Sequence, residues 1–427
     1  MSHTTTEQFD LSPTQKQPGK YLFPLILVTS LFFFWGFVHN LDPILIPHLR
    51  KAFKLNDLES SFVDFSIFIA YFAMALPAGY VMKRWGYKSG ILLGLVLFAI
   101  GSFLFIPAAD TKVYIYFLGA LFIIACGLAF LETAANPYVT VLGPSESATL
   151  RLNFSQSFNG FAAFVAPIIG SKFIFTGSTE TEAQIKAMTP AAYDAYVTAE
   201  AASVKGPYTF LGFAIVLVIV LFAFTKLPDI KSSETEEKSG IFDALKFKQL
   251  RWGVIAQFFY VGAQVCVLSF FVRFIGVSAG ISLESAAWYS GAAGLAFMLG
   301  RFAGTFFMRF IAPNKLLMLY ALICMLLTIL AIFAHGLITV YALIGIAFFM
   351  SIMFPTIFSL GISGLGKDTK IASSLIVMSI VGGAFLPLAL GYISDLTGSI
   401  QYGYIVPLVC FLVVFYFGKS GYKPLQN

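Results

Sequence analysis

YIYFLGALFIIACGLAFLETAANPYVTVLG, residues 114–143, is a nearly unbroken apolar run that carries one acidic or basic residue, Glu132. About 20 such residues suffice to cross a bilayer as a helix. A charged side chain at the centre of a spanning helix costs about 2.5–3.5 kcal/mol on insertion scales, so it faces a polar interior and marks a substrate or ion path. The plainer reading of Glu132 is a hydrogen bond to a neighbouring helix, with no role in transport.

The rest of the chain has the same character. Of 427 residues, 58% are hydrophobic and 11% charged, against about 45–50% and 25% in soluble domains, which makes this a polytopic membrane protein. Forty-eight Phe and nineteen Tyr suit lipid-facing and interfacial surfaces. The net charge of +6 comes from basic residues scattered through short loops, a pattern of membrane topology and not of nucleic-acid binding. Residues 1–20 are polar and read as a disordered tail, and no cleaved leader is expected. Cys126, Cys266, Cys324 and Cys410 fall in apolar segments without metal-ligand spacing, so neither a metal site nor a disulfide is predicted.

Breaking the chain at charged and Gly/Pro-rich turns gives an all-α protein of twelve spans, near 21–47, 60–82, 90–109, 113–142, 152–176, 207–226, 251–276, 284–308, 315–335, 337–361, 371–395 and 402–418. Two polar stretches remain. Gly177 to Lys205 reads as a long loop, and 227–250 as a flexible linker between a six-span half at 21–226 and a second half with a short tail at 251–427. The halves repeat: Trp35-Gly36-Phe37 matches Val261-Gly262-Ala263, Gly79 matches Gly304, Arg84 matches Arg309, and Pro137–Gly143 matches Pro355–Gly361. About 18 basic residues lie in the termini and even-numbered linkers against about 7 in the odd-numbered loops, which by the positive-inside rule predicts both termini in the cytoplasm.

GYVMKRWGYKSG (79–90), with its counterpart GTFFMRFIAPNK (304–315), resembles the major facilitator loop signature. Two pseudo-symmetric six-helix halves are the architecture of that superfamily. A narrower resemblance rests on SLFFFWGFVHNLDPILIPHLRKAF in span one, LETAANPYVTVLGP in span four, RLNFSQSFNGF in span five, AQFFYVGAQ in span seven and FPTIFSLGISGLGKDTK around span ten. These look like the fucose–proton symporter family, which includes fucose, glucose/galactose and N-acetylglucosamine permeases, and the likeness runs from about Tyr21 to Phe417.

The resemblance implies a protonation and coupling role for Glu132. It also implies a second acid in span one, where the family has N-L-N-D and this chain has Asn40-Leu41-Asp42-Pro43. The family's aspartate aligns with Pro43, so the acid has moved to Asp42, about 100° around a helix. Asp42 reaches the same cavity if Pro43 breaks that helix. Phe354 stands where the fucose permease has a tyrosine, which argues against assuming fucose.

The residue chemistry fits a sugar independently. A pyranose offers hydroxyls that donate and accept, plus an apolar face, and so calls for amides, carboxylates and aromatic rings. Asn40, Asn136, Gln156, Asn159, Gln257 and Gln264 lie in spans, with Trp35, Tyr260 and Phe354 as aromatic platforms. Gln156 and Asn159 share a helix face, as do Gln257 and Gln264; any single amide is equally well read as interhelical glue. His39 and Asp64 are auxiliary candidates, His39 being more readily a structural histidine. Arg273 and Arg301 read as interface anchors or gate ion pairs.

The expectation is a monomeric carrier in a bacterial inner membrane that takes up a neutral hexose with a proton by alternating access. It needs no cofactor. Sodium is the alternative coupling ion, and a drug or lipid exporter the remaining rival, disfavoured by the amide-rich spans. No nucleophile–base arrangement or phosphate-binding loop points to an enzyme.

Overall fold

A computed structural model describes residues 22–41, 45, 49, 53–55, 57–174, 184–185, 187–227, 244–281 and 283–423, with some side chains within helices excepted. Helices dominate, and no strand occurs among the described residues. The first half comprises α1 (Leu22–His39), α2 (Asp57–Thr111), α3 (Tyr114–Val141), α4 (Ala148–Ile174) and α5 (Pro190–Phe224). Spans two and three are joined in α2, which turns at Gly86, where φ is 83°, a value glycine reaches without steric cost.

The second half is more broken. Span seven is α6 (Lys248–Ser269) and α7 (Phe271–Ala279), followed by α8 (Leu283–Phe307) and α9 (Pro313–Phe333). Span ten divides into α10 (Leu337–Met350) and α11 (Met353–Ile362), span eleven into α12 (Thr369–Met378) and α13 (Gly382–Thr397), and span twelve into α14 (Ile400–Gly403) and α15 (Ile405–Tyr416). Eight helical stretches among the described residues are long and apolar enough to cross a membrane, and one of them, Phe65–Thr111, is long enough to cross twice.

The outward surface explains the composition. Phe210, Phe213, Leu217 and Phe224 all stand exposed along α5, a stripe that water would penalise and hydrocarbon accepts. The opposite face of the same helix is buried, and Tyr208 stacks on Phe105 of α2 with ring centroids 3.6 Å apart. At its end α5 is capped from α2: Lys88 Nζ donates to the carbonyls of Ala223 and Thr225, both at 2.9 Å. A cation there satisfies orphan carbonyls and opposes the helix dipole.

The polar stretch expected as a loop from Gly177 to Lys205 is helical from Pro190, continuous with span six. Thr189 caps it, its hydroxyl accepting from Ala192 N at 3.3 Å, with Pro190 in the first helical position. Lys112 at the end of α2 pairs with Asp194 at 2.7 Å, and Lys205 pairs with Asp110, so the added turns are tied to the first half.

The sequence repeat has a structural counterpart. Gly36 of span one lies against Asn159 of span five, and its match Gly262 of span seven lies against Leu386 of span eleven. Between halves, polar contacts among the described residues gather toward the ends rich in Lys and Arg, here termed the basic side. Thr149 Oγ1 and Ser359 Oγ are 2.8 Å apart, Asn153 Nδ2 donates to Thr356 Oγ1 at 3.2 Å, and the Lys370 ammonium sits 5.3 Å from the Tyr87 ring centroid.

Candidate functional site

Glu132 lies deep in α3, in a stretch where every residue from Leu128 to Thr140 is buried; Glu132 itself is 8% exposed. Tyr71 of α2, also buried, hydrogen-bonds its carboxylate. Pro137 interrupts α3 from inside, and without an N–H it leaves the carbonyl of Thr133 short of its helical donor. Polar capacity is therefore concentrated in one turn of an otherwise apolar helix.

Asn136, four residues beyond Glu132, shares its helix face. Its Oδ1 accepts from Gln156 Nε2 of α4 at 3.0 Å, while its Nδ2 is buried without a partner. The α3–α4 connection is held by Arg151, which donates to the carbonyls of Val139, Thr140 and Pro144 at 3.2, 2.7 and 2.7 Å. The guanidinium thus closes the C-terminal carbonyls of one span onto the start of the next.

Span one packs on span five closely because residue 36 is glycine: a Cβ there would lie 2.8 Å from Asn159 Cγ and 2.9 Å from its Cα. Thr29 and Ser155, 2.9 Å apart, join the same helices. Asn40 and Asn159 are half-buried at this junction, and Asn40 Nδ2 donates to Gly36 O at 2.7 Å. Trp35 is enclosed against Phe32, with centroids 4.3 Å apart, and His39 is exposed at the end of α1. Asp42 and the side chain of Asp64 lie outside the described residues.

From the second half, Gln257 on α6 is fully buried with neither amide atom bonded. Tyr260, nearly one turn further, is also fully buried and meets Phe354 edge-on at 6.4 Å. Gln264 and Phe354 are half-buried. In this conformation Trp35 and Tyr260 are sealed within protein and present no open platform.

Arg301 departs most from its sequence-based reading. It is neither a span-end anchor nor part of an ion pair: it lies inside α8, 3% exposed, and no carboxylate pairs with it among the described residues. Its Nε donates to Ser351 O at 2.9 Å and its Nη1 to Gln156 O, in the other half, at 2.8 Å. The guanidinium also covers the Phe297 ring at 4.6 Å. Tyr71 is a second participant that sequence reasoning passed over, one tyrosine among nineteen.

The family profile described as Major Facilitator Superfamily matches residues 25–370. The chain belongs to the major facilitator superfamily. Within that superfamily it is 39% identical to the L-fucose-proton symporter of Escherichia coli K12 over 438 residues, covering all of both proteins. It is 41% identical over 412 residues to a glucose/galactose transporter of Brucella abortus, covering 94% of this chain and 95% of that protein. Among solved structures, the transporter FucP in its outward conformation superposes with a TM-score of 0.88 at 40% identity, over 95% of this chain and 100% of that one. The proton:xylose symporter XylE, at 15% identity and a TM-score of 0.71, shares the fold. As in the rest of this major facilitator group, the chain is a transporter and not an enzyme.

Proposed function

We propose that this protein takes up a neutral monosaccharide together with a proton by alternating access. The observation that carries the reading is Glu132, enclosed in α3, bonded by Tyr71 and one turn from the Asn136–Gln156 pair. A carboxyl group within a spanning helix is the residue type that carries a proton through such a carrier. If sugar prefers the protonated carrier, the proton prefers the loaded carrier by the same factor, and that reciprocity is symport. The unbonded Asn136 Nδ2 and both atoms of the Gln257 amide offer donors and an acceptor to a polyhydroxylated ligand. Asn40, Asn159 and Gln264 add half-buried amides, and Phe354 a half-buried ring.

Relatives named for fucose and for glucose/galactose stand at nearly equal identity, so the substrate class is a neutral hexose or deoxyhexose. The absence of a phenol at Phe354 argues against assuming fucose. The basic side is assigned to the cytoplasm by the positive-inside rule, with both termini there, a bacterial inner membrane as host, and a monomer as the working unit. The halves meet on that side, which makes this the outward-facing state.

The test is Glu132→Gln in right-side-out vesicles. Sugar exchange should persist while proton-driven accumulation disappears; unchanged uphill uptake refutes the assignment. Alkalinisation of a weakly buffered, sodium-free medium upon sugar addition separates a proton from sodium as the coupling ion. A thermal-shift screen against monosaccharides identifies the substrate, since ligand at a hundred times its Kd stabilises by about 2.7 kcal/mol.

A further inference from the structure

Span ten breaks between Met350 and Met353, and Pro355 stands four residues after Ser351. The donor that would ordinarily close onto the Ser351 carbonyl is therefore missing. Arg301 Nε fills that place at 2.9 Å, and the same guanidinium reaches across to Gln156 O of the first half at 2.8 Å. Gln156 in turn donates its side-chain amide to Asn136, one turn from Glu132. A thread of hydrogen bonds thus runs from a break in the second half to Asn136 of the first, one turn from the buried acid.

The repeat isolates what is particular about Arg301. Carrying the Gly79–Gly304 match back three residues puts Leu76 opposite Arg301, and the Pro137–Pro355 match puts Thr133 opposite Ser351. Both halves have the proline and the carbonyl it deprives, but only the second has the arginine. The fold therefore does not require a cation there. A buried guanidinium with no carboxylate partner among the described residues is costly in a membrane interior, and such groups persist where they serve function.

We infer that Arg301 is the clasp that holds the two halves shut on the basic side and, through Gln156, fixes the amide beside Glu132, so that its release is one step in the exchange between facing states. This rests on the symport reading above, although its test does not use sugar. As a positioning residue, Arg301 touches the backbone of the site and not the transported molecule. Opening the basic side breaks the bond to Gln156 O and leaves the bond to Ser351 O within its own half.

The experiment uses the full chain carrying Thr149→Cys, a position buried at the closed side, in inside-out vesicles with a membrane-impermeant maleimide. Protein lacking the added cysteine corrects for the four native thiols, all buried. Arg301→Met should raise the labelling rate between about tenfold and a hundredfold, the range for losing one charge-assisted bond, and slow sugar exchange. Arg301→Lys, with a charge but without the planar fork, should fall between Met and wild type. Labelling of the Met variant within twofold of wild type overturns the clasp, as does a Lys variant labelled as fast as Met. Should Arg301→Met fail to reach the membrane, Pro355→Ala decides: it supplies the Ser351 carbonyl with a helical N–H that competes with Arg301. Severalfold faster labelling supports the clasp, and an unchanged rate overturns it. Absence of proton-driven sugar uptake in wild type would instead sink the symport reading and leave the labelling comparison intact.

Discussion

Asn136 bonds Gln156 through one amide atom and leaves the other unbonded in a buried setting. Removing only one member of such a pair strands the other, at about 1–3 kcal/mol. Gln156→Leu and Asn136→Leu should each lower the thermal midpoint of purified protein, and the double variant should lose less than the sum; strict additivity would show that the two amides do not interact. Each residue was conspicuous in the sequence as an amide within an apolar span, but the bond between them was not. Arg301 was misread for a related reason: a charge tends to be taken as the end of a span, and its interior position rests on two carbonyls distant in sequence, that of Ser351, freed by Pro355, and that of Gln156. Tyr71 gave no signal, since tyrosine is common in this chain and its value depends on the partner it meets.

At the level of elements, the hairpin of α3 and α4 carries Glu132, Asn136, Gln156 and Asn159, and Arg151 binds its two helices together. Arg151→Ala leaves three carbonyls without that donor and should cost about 1–3 kcal/mol. The expected outcome is a lower thermal midpoint together with weaker sugar binding, read by thermal shift with and without sugar; a midpoint within error of wild type would count against the hairpin role. Apolar length and turn residues located the spans, but they mistook the start of α5 for loop. Its first turns are polar because they stand beyond the apolar segment, and composition cannot separate an exposed helix from an exposed loop. Thr189 and Pro190 form a helix-start signal that the reading of this stretch as a loop passed over.

For the whole molecule, the internal repeat anticipated the two-half architecture, whereas the facing state depends on contacts between residues far apart in sequence. Thr149 and Ser359 meet at 2.8 Å between their hydroxyls, a separation that suits a disulfide between replacement cysteines. Thr149→Cys combined with Ser359→Cys should cross-link under mild oxidation, stop transport, and recover it with a reducing agent; full transport by the cross-linked protein would mean that the halves need not separate there. The extension of α5 has a different use. From Pro190 to Lys205 it rises as regular helix, about 1.5 Å per residue, and its ties to Asp110 and Lys112 hold it to the first half. It is a built-in handle: an antibody fragment gripping it would follow that half through the cycle, giving microscopists a landmark on a particle otherwise hidden in detergent and a lever for watching a single carrier turn over.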